Sequence, residues 1–231
     1  LDVIILQVGT GSLNTTQELA RHAEEKGVDA IAAIPTVPLL PNSIDDVVEY
    51  LKRVGDAAPK TPLFYYHFPK LTNVTFSGVT LLDAIQDKVP TFHGMKFTSN
   101  DLYDFARCMD HPTGGKYQVF SSYDQLLLPS LALGGEAFVG CHYNFIGRHG
   151  NRILEAYKNG DMKTAQKLQY QTNKLANLMD KYGHPGISKY LLTMVGFDFG
   201  PPRYPSQIMN EDQITELRKE LDAIGFSDMQ K

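Results

Sequence analysis

Six short apolar runs rich in β-branched and aromatic residues recur along the chain: VIILQVG (3–9), AIAAIP (30–35), LFYYHFP (63–69), GMKFTS (94–99), YQVFSS (117–122) and AFVGCHYN (137–144). Between them lie TTQELARHAEEKG, SIDDVVEYLKRVGDAAP, GVTLLDAIQDKVP, NDLYDFARCMD, DQLLLPSLALGG and IGRHGNRILEAYKNG, mostly with apolar residues at helical spacing. The pattern predicts six βα units in succession. Asn14, Ser43, Asn100 and Tyr123-Asp124 are the N-cap candidates, and Gly27, Gly134 and Gly160 stand where helices end on glycine. Pro129 interrupts the fifth helical pattern, where an interior proline kinks or breaks a helix.

Strands that are apolar on both faces and alternate with helices imply a parallel sheet covered by helices, either doubly wound or a (β/α)8 TIM barrel. Polar side chains gather at the C-terminal ends of successive runs: Thr10 and Ser12; Tyr66 and His67; Lys96 and Thr98; Ser122, Tyr123 and Asp124; Cys141, His142 and Asn144. A barrel brings such ends to one mouth, whereas an open sheet spreads them along an edge, so the barrel is the expected fold. Only six of its eight units are present. Beyond residue 160 the pattern is helical alone, so residues 1–160 are expected to form the barrel portion and 161–231 a helical extension packed on it.

Composition narrows the function. The 231 residues are 42% hydrophobic and carry a formal net charge of −4 with both signs interspersed, which disfavours a nucleic-acid partner. No apolar run is long enough to span a bilayer, so no membrane partner is expected. Cys108 and Cys141 form no CxxC pair, which argues against a disulfide framework or a zinc site and fits a reducing cytoplasm.

The sharpest candidate for chemistry is Lys96, in FHGMKFTSN. Lysine is seldom buried without a partner. An amine held partly out of water is biased toward its neutral form, which attacks carbonyl carbon. The competing reading is a lysine whose stem covers apolar surface while its head reaches water. Tyr66, at the same end of the preceding strand, is placed to move a proton on and off a substrate hydroxyl, although tyrosine is also an ordinary strand residue. GTGS (9–12) lacks the third glycine of a dinucleotide motif and the lysine of a P-loop, and reads as a turn into a helix. His67 and His142 have no acidic or thiol partner at metal-ligand spacing and are expected to be satisfied polar contacts. Asp124 alone reads as an N-cap.

Three stretches carry a family resemblance: YYHFPKLTNV (65–74), GMKFTSNDLYDF (94–105) and GPPRYP (200–205). They resemble the dihydrodipicolinate synthase and N-acetylneuraminate lyase family of pyruvate-dependent class I aldolases. The first matches the family's Tyr-x-x-Pro strand end, and the second its Schiff-base lysine followed at the second position by Thr or Ser. The histidine after Tyr66 and Phe97 after Lys96 look like the animal lyases, and the resemblance covers essentially the whole chain.

The resemblance implies that Lys96 forms an imine with the keto carbon of pyruvate or open-chain sialic acid. Tyr66 would shuttle the proton of the C4 hydroxyl and Thr98 would orient that hydroxyl. Ser122, Asp124 and Gln125 fall in the stretch that holds the sugar's polyol chain, and Cys141 stands at the next strand end. The implied reaction is cleavage of N-acetylneuraminate to N-acetylmannosamine and pyruvate, with no metal and no dissociable cofactor. The implied partners are the keto-acid sugar and pyruvate, in a homo-oligomer that the family makes a tetramer.

Three stretches depart from the family. Ser122-Tyr123-Asp124-Gln125 replaces Gly-x-Asp-Glu, Gly140-Cys141-His142-Tyr143-Asn144 replaces Gly-Ser-Thr-Tyr-Asn, and PTVPLLP (35–41) stands where aromatic residues are common. Leu1 corresponds to the start of the family's third strand, so the first two βα units and the Gly-Thr-Thr-Gly-Glu loop that grips the substrate carboxylate are expected to be missing. Two further readings follow: another 2-keto acid aldolase with a different acceptor, and a truncated, non-catalytic member that serves as a subunit-interaction module.

Overall fold

In a computed structural model, which describes residues 2–113 and 115–231, the chain divides into two compact units. Leu1 lies outside the described residues.

The first unit comprises residues 1–122 and 132–138 and holds six parallel strands: β1 (Ile5–Gln7), β2 (Ala30–Ala33), β3 (Leu63–His67), β4 (Phe92–Phe97), β5 (Gln118–Ser121) and β6 (Ala137–Phe138). They pair in sequence order, β1-β2-β3-β4-β5-β6. A doubly wound sheet reverses its order at a switch point, and this one never does, so the winding is that of a barrel. Among the described residues β1 pairs only with β2 and β6 only with β5, which makes the sheet a half-barrel. The strands are shorter than the apolar runs suggest, because the polar ends of those runs leave the ladder as loops.

Helices α1 (Leu13–Glu25), α2 (Ile44–Ala57), α3 (Pro69–Thr72), α4 (Gly78–Ile85) and α5 (Leu102–Met109) alternate with these strands. Ser43 caps α2 in a reciprocal box with Asp46. Two expected caps are displaced: Ser12, not Asn14, caps α1, and Asp101, not Asn100, caps α5. In each case the capping side chain bonds the N–H three residues on, and the neighbouring asparagine does not.

The two faces of the sheet are packed differently. Ile31, Ala33, Leu63, Tyr65, Met95, Phe97 and Val119 point into one large core with residues of α1, α2, α4 and α5. The opposite face carries only a small cluster of strand residues, Ala30, Ala32 and Phe64 with Phe120 against it. A β-bulge decides which face each residue of β4 takes. Leu63 pairs with Phe92 but Phe64 pairs with Gly94, so His93 is an extra residue. Phe92 therefore joins the helix-facing core although it lies four residues before Lys96, an even spacing that in a regular strand would put both on one face. Gly94 supplies the backbone for this with φ +150°, and a Cβ there would run into the Gln118 main chain.

The second unit comprises residues 123–131 and 139–231. It opens with a 3-10 turn (Asp124–Leu126) that runs into α6 (Leu127–Ala132), so Pro129 falls in the first turn of a helix, where its missing N–H costs nothing. It continues with α7 (Tyr143–Lys158), α8 (Met162–Tyr182), α9 (Gly186–Met194), α10 (Glu211–Ala223) and α11 (Phe226–Met229). Phe145, Ile146, Leu175, Met179, Ile187, Leu191, Leu217, Leu221, Phe226 and Met229 form its core. Among the described residues no helix is long and apolar enough to cross a membrane.

Candidate functional site

Tyr66 and Lys96 are register partners on β3 and β4, and Lys96 pairs onward with Phe120 on β5. Register partners in a parallel sheet point the same way, so these three side chains share the face away from the helices. Both Tyr66 and Lys96 are half-buried there. The Lys96 ammonium nitrogen lies 4.2 Å from the centroid of the Tyr66 ring, a cation–π contact that holds the amine against the phenol. Phe68 stacks on the Tyr66 ring, with the two centroids 5.7 Å apart. Phe64 and Phe120, 5.0 Å apart, form an apolar floor on the same face.

Thr98 extends β4 by one residue, its N–H donating to the His67 carbonyl at 2.8 Å. The residue is buried, and among the described residues its hydroxyl has no hydrogen-bond partner. A buried hydroxyl left unpaired carries a desolvation cost. Ser122 follows β5 in the same manner, donating its N–H to the Phe97 carbonyl at 3.0 Å. Tyr66, Lys96, Thr98 and Ser122 thus all lie in the first unit, at the C-terminal ends of three adjacent strands.

His67 faces the other way. It is buried against Phe97, 5.0 Å between centroids, and burial pushes its pKa down to about 4. It belongs to the helix-facing packing rather than to the polar strand ends. Cys108, on the same side, has its thiol pKa raised by burial, which makes it an inert core thiol.

Asp124, Gln125 and Cys141 belong to the second unit. Asp124 is buried. Its Oδ2 accepts from the His142 N–H at 3.5 Å and lies 3.6 Å from His142 Nδ1. A side chain at 140 would overlap the Asp124 carboxylate, so Gly140 is what makes room for it. His142 is itself buried, and burial, with His184 adding to it, lowers its pKa to about 4. Its Nδ1 has no hydrogen-bond partner among the described residues, so the expectation of a satisfied histidine fails at that atom. Cys141 is exposed, with its sulfur 3.9 Å from the Ser188 hydroxyl, which in turn lies 3.0 Å from His184 Nδ1.

The Asp124–Gln125 turn is tied to α8 by residues that carry no motif. Gln169 is buried in the middle of that helix; its amide nitrogen donates to the Asp124 carbonyl at 3.0 Å, and its oxygen accepts from the Leu128 N–H at 2.8 Å. A glutamine on the buried stripe of an otherwise amphipathic helix was the one signal available in the sequence. Among the described residues no group of three or more His, Cys, Asp or Glu side chains is arranged to hold a metal ion.

A βα sheet wound in one direction, with an amine set against a phenol at its strand ends, defines a barrel-type α/β protein. Residues 3–224 match the profile of the dihydrodipicolinate synthetase family, and the chain belongs to that family. N-acetylneuraminate lyase of Sus scrofa is 40% identical over 99% of this chain and 73% of its own length. The Homo sapiens enzyme of that name is 39% identical over the same shares. Among solved structures, Proteus mirabilis N-acetylneuraminate lyase superposes with a TM-score of 0.92 at 28% identity, covering 97% of this chain and 75% of that one.

Proposed function

We propose that the protein is a Schiff-base aldolase that cleaves N-acetylneuraminate to N-acetylmannosamine and pyruvate. The observation that carries the reading is the register pairing of Lys96 with Tyr66, which sets the amine 4.2 Å from the phenol ring on the helix-free face of the sheet. The similarity to animal and bacterial lyases supports the choice of substrate.

In this reading the neutral Lys96 amine adds to the C2 ketone of the open-chain sugar acid, and loss of water leaves a protonated imine. Tyr66 accepts the C4 hydroxyl proton as the C3–C4 bond breaks, and the bonding pair moves into the imine to give an enamine. N-acetylmannosamine leaves as the aldehyde. Protonation of the enamine at C3 and hydrolysis of the imine then release pyruvate and restore the amine. Thr98 orients the C4 hydroxyl, a role its buried, unpaired hydroxyl supports. Ser122, Asp124, Gln125 and Cys141 hold the polyol chain, and neither metal nor dissociable cofactor enters the sequence of steps.

Cys141 and the buried His142, standing where the family has serine and threonine, favour a second reading in which the same imine chemistry serves a different 2-keto acid. A panel of keto-acid sugars separates the two. The family resemblance further supports a cytoplasmic homo-oligomer, a tetramer, which light scattering on the purified chain tests. Borohydride reduction in the presence of pyruvate, followed by peptide mass spectrometry, tests the core claim: a reduced pyruvyl adduct is expected on Lys96. A folded sample with no adduct, or with the adduct on another lysine, overturns it and leaves the non-catalytic module.

A further inference from the structure

The turn bearing Asp124 and Gln125 follows strand β5 in sequence, yet it is the C-terminal helices that hold it in place. The Asp124 carbonyl accepts from the Leu127 N–H within the 3-10 turn and from Gln169 Nε2 at 3.0 Å. Gln169 Oε1 takes the Leu128 N–H at 2.8 Å. One side-chain amide therefore bridges the first residue of the turn and the second residue of α6. Asn173, one helical turn further along α8, accepts from Gln169 Nε2 at 3.0 Å in one orientation of its amide and donates to the Gln125 carbonyl at 3.3 Å in the other. In both orientations α8 reaches the backbone of the turn.

The geometry points to Gln169, supported by Asn173, as a positioning residue for the acceptor half of the substrate: it fixes the backbone from which Asp124 and Gln125 present their side chains. The inference rests on the aldolase reading. Gln169 is 4% exposed, so its amide has no role at the surface, and a polar side chain is kept in the interior only where its hydrogen bonds repay desolvation. Both of its polar atoms are spent on main-chain groups of this one segment, and a bond to main chain constrains where a turn lies without contacting any ligand. The Asp124 carboxylate is also closely approached by the main chain at Gly140, where a Cβ would overlap it.

Gln169→Met keeps the length of the side chain and removes both bonds. Steady-state cleavage of N-acetylneuraminate and the rate of borohydride-trapped imine formation with pyruvate at Lys96 are measured on the same preparations. KM for the sugar acid is expected to rise about tenfold, the size that loss of one or two positioning hydrogen bonds gives, while pyruvate trapping stays within twofold of the unaltered protein. Gln169→Glu, which keeps the acceptor for the Leu128 N–H but loses the donor to Asp124, is expected to fall between the two. If Gln169→Met does not fold, Asn173→Ala, at a half-buried position, carries the same test with a smaller rise in KM. A KM within twofold of the unaltered protein in folded variants, or a parallel loss of cleavage and pyruvate trapping, overturns the inference while the aldolase reading stands. An unaltered protein that traps no pyruvate overturns the reading and the inference with it.

Discussion

The strand ends that carry Tyr66, Lys96 and Thr98 and the turn that carries Asp124 and Gln125 are built in opposite ways. The first group takes its geometry from the hydrogen-bond ladder of a parallel sheet: once β3 and β4 are in register, Tyr66 and Lys96 must lie side by side. The second takes its geometry from residues that arrive from elsewhere in the chain, Gly140, His142 and Gln169, each meeting Asp124 through a different group. A backbone ladder is indifferent to most side-chain changes, whereas a turn propped by individual side chains is sensitive to each of them. A chemistry shared across a family suits the first construction, and a substrate preference that varies between members suits the second.

The comparison is broken most severely at Lys96. Lys96→Ala is expected to abolish cleavage and borohydride trapping together while leaving the melting temperature near that of the unaltered protein, because the half-buried amine is held by a cation–π contact and not by the core. Tyr66→Phe separates the two steps in the same region. Turnover is expected to fall by about 10²–10⁴-fold, the contribution of a positioned proton-transfer group, while imine trapping with pyruvate persists. Loss of trapping in a folded Tyr66→Phe protein would show that the phenol is needed before bond cleavage.

Gly140→Ala probes the other region. The new methyl group overlaps the Asp124 carboxylate, so a loss of about 1–3 kcal/mol in stability is expected from overpacking, read in urea unfolding, together with a raised KM for the sugar acid and unchanged pyruvate trapping. An unaltered KM would mean that the turn tolerates displacement and does not govern the acceptor.

The smallest effect is on pH. His67 and His142, one on each side of the comparison, are both buried neutral with pKa values lowered to about 4. Between those values and the unfolded value near 6.5 the unfolded chain binds more protons than the folded one, so stability is full above pH 6.5 and falls as pH drops toward 4. The loss is expected to be about 1 kcal/mol per histidine between pH 7 and pH 5.5. Calorimetry on His67→Phe and His142→Asn assigns each share, and a flat stability profile over that range would show that neither ring is held neutral by burial.

Much of the first region was legible in the sequence. The six apolar runs, the capping serine at 43 and the terminal glycines 27 and 160 locate the βα units, because alternation and capping are properties of nearest neighbours along the chain. Lys96 and Tyr66 stood out for the same reason, as polar groups at the ends of apolar runs. The second region was legible only as a helix start with Asp124 at its cap and, through the family resemblance, as a stretch facing the sugar's polyol chain. Its support comes from positions 15 and more residues away, and a buried glutamine in an amphipathic helix looks like any other until its partners are known.

The sequence by itself determined the parallel βα winding and the positions of most elements, since each follows from local periodicity, and it singled out Lys96 and Tyr66 as candidates through the family resemblance. The tertiary structure alone decided which face Lys96 occupies, through a bulge at His93 that a strand pattern does not reveal, and which side chains hold the Asp124 turn. Both are questions of register and long-range hydrogen bonding, and those are fixed by how strands and helices pack rather than by how neighbouring residues alternate.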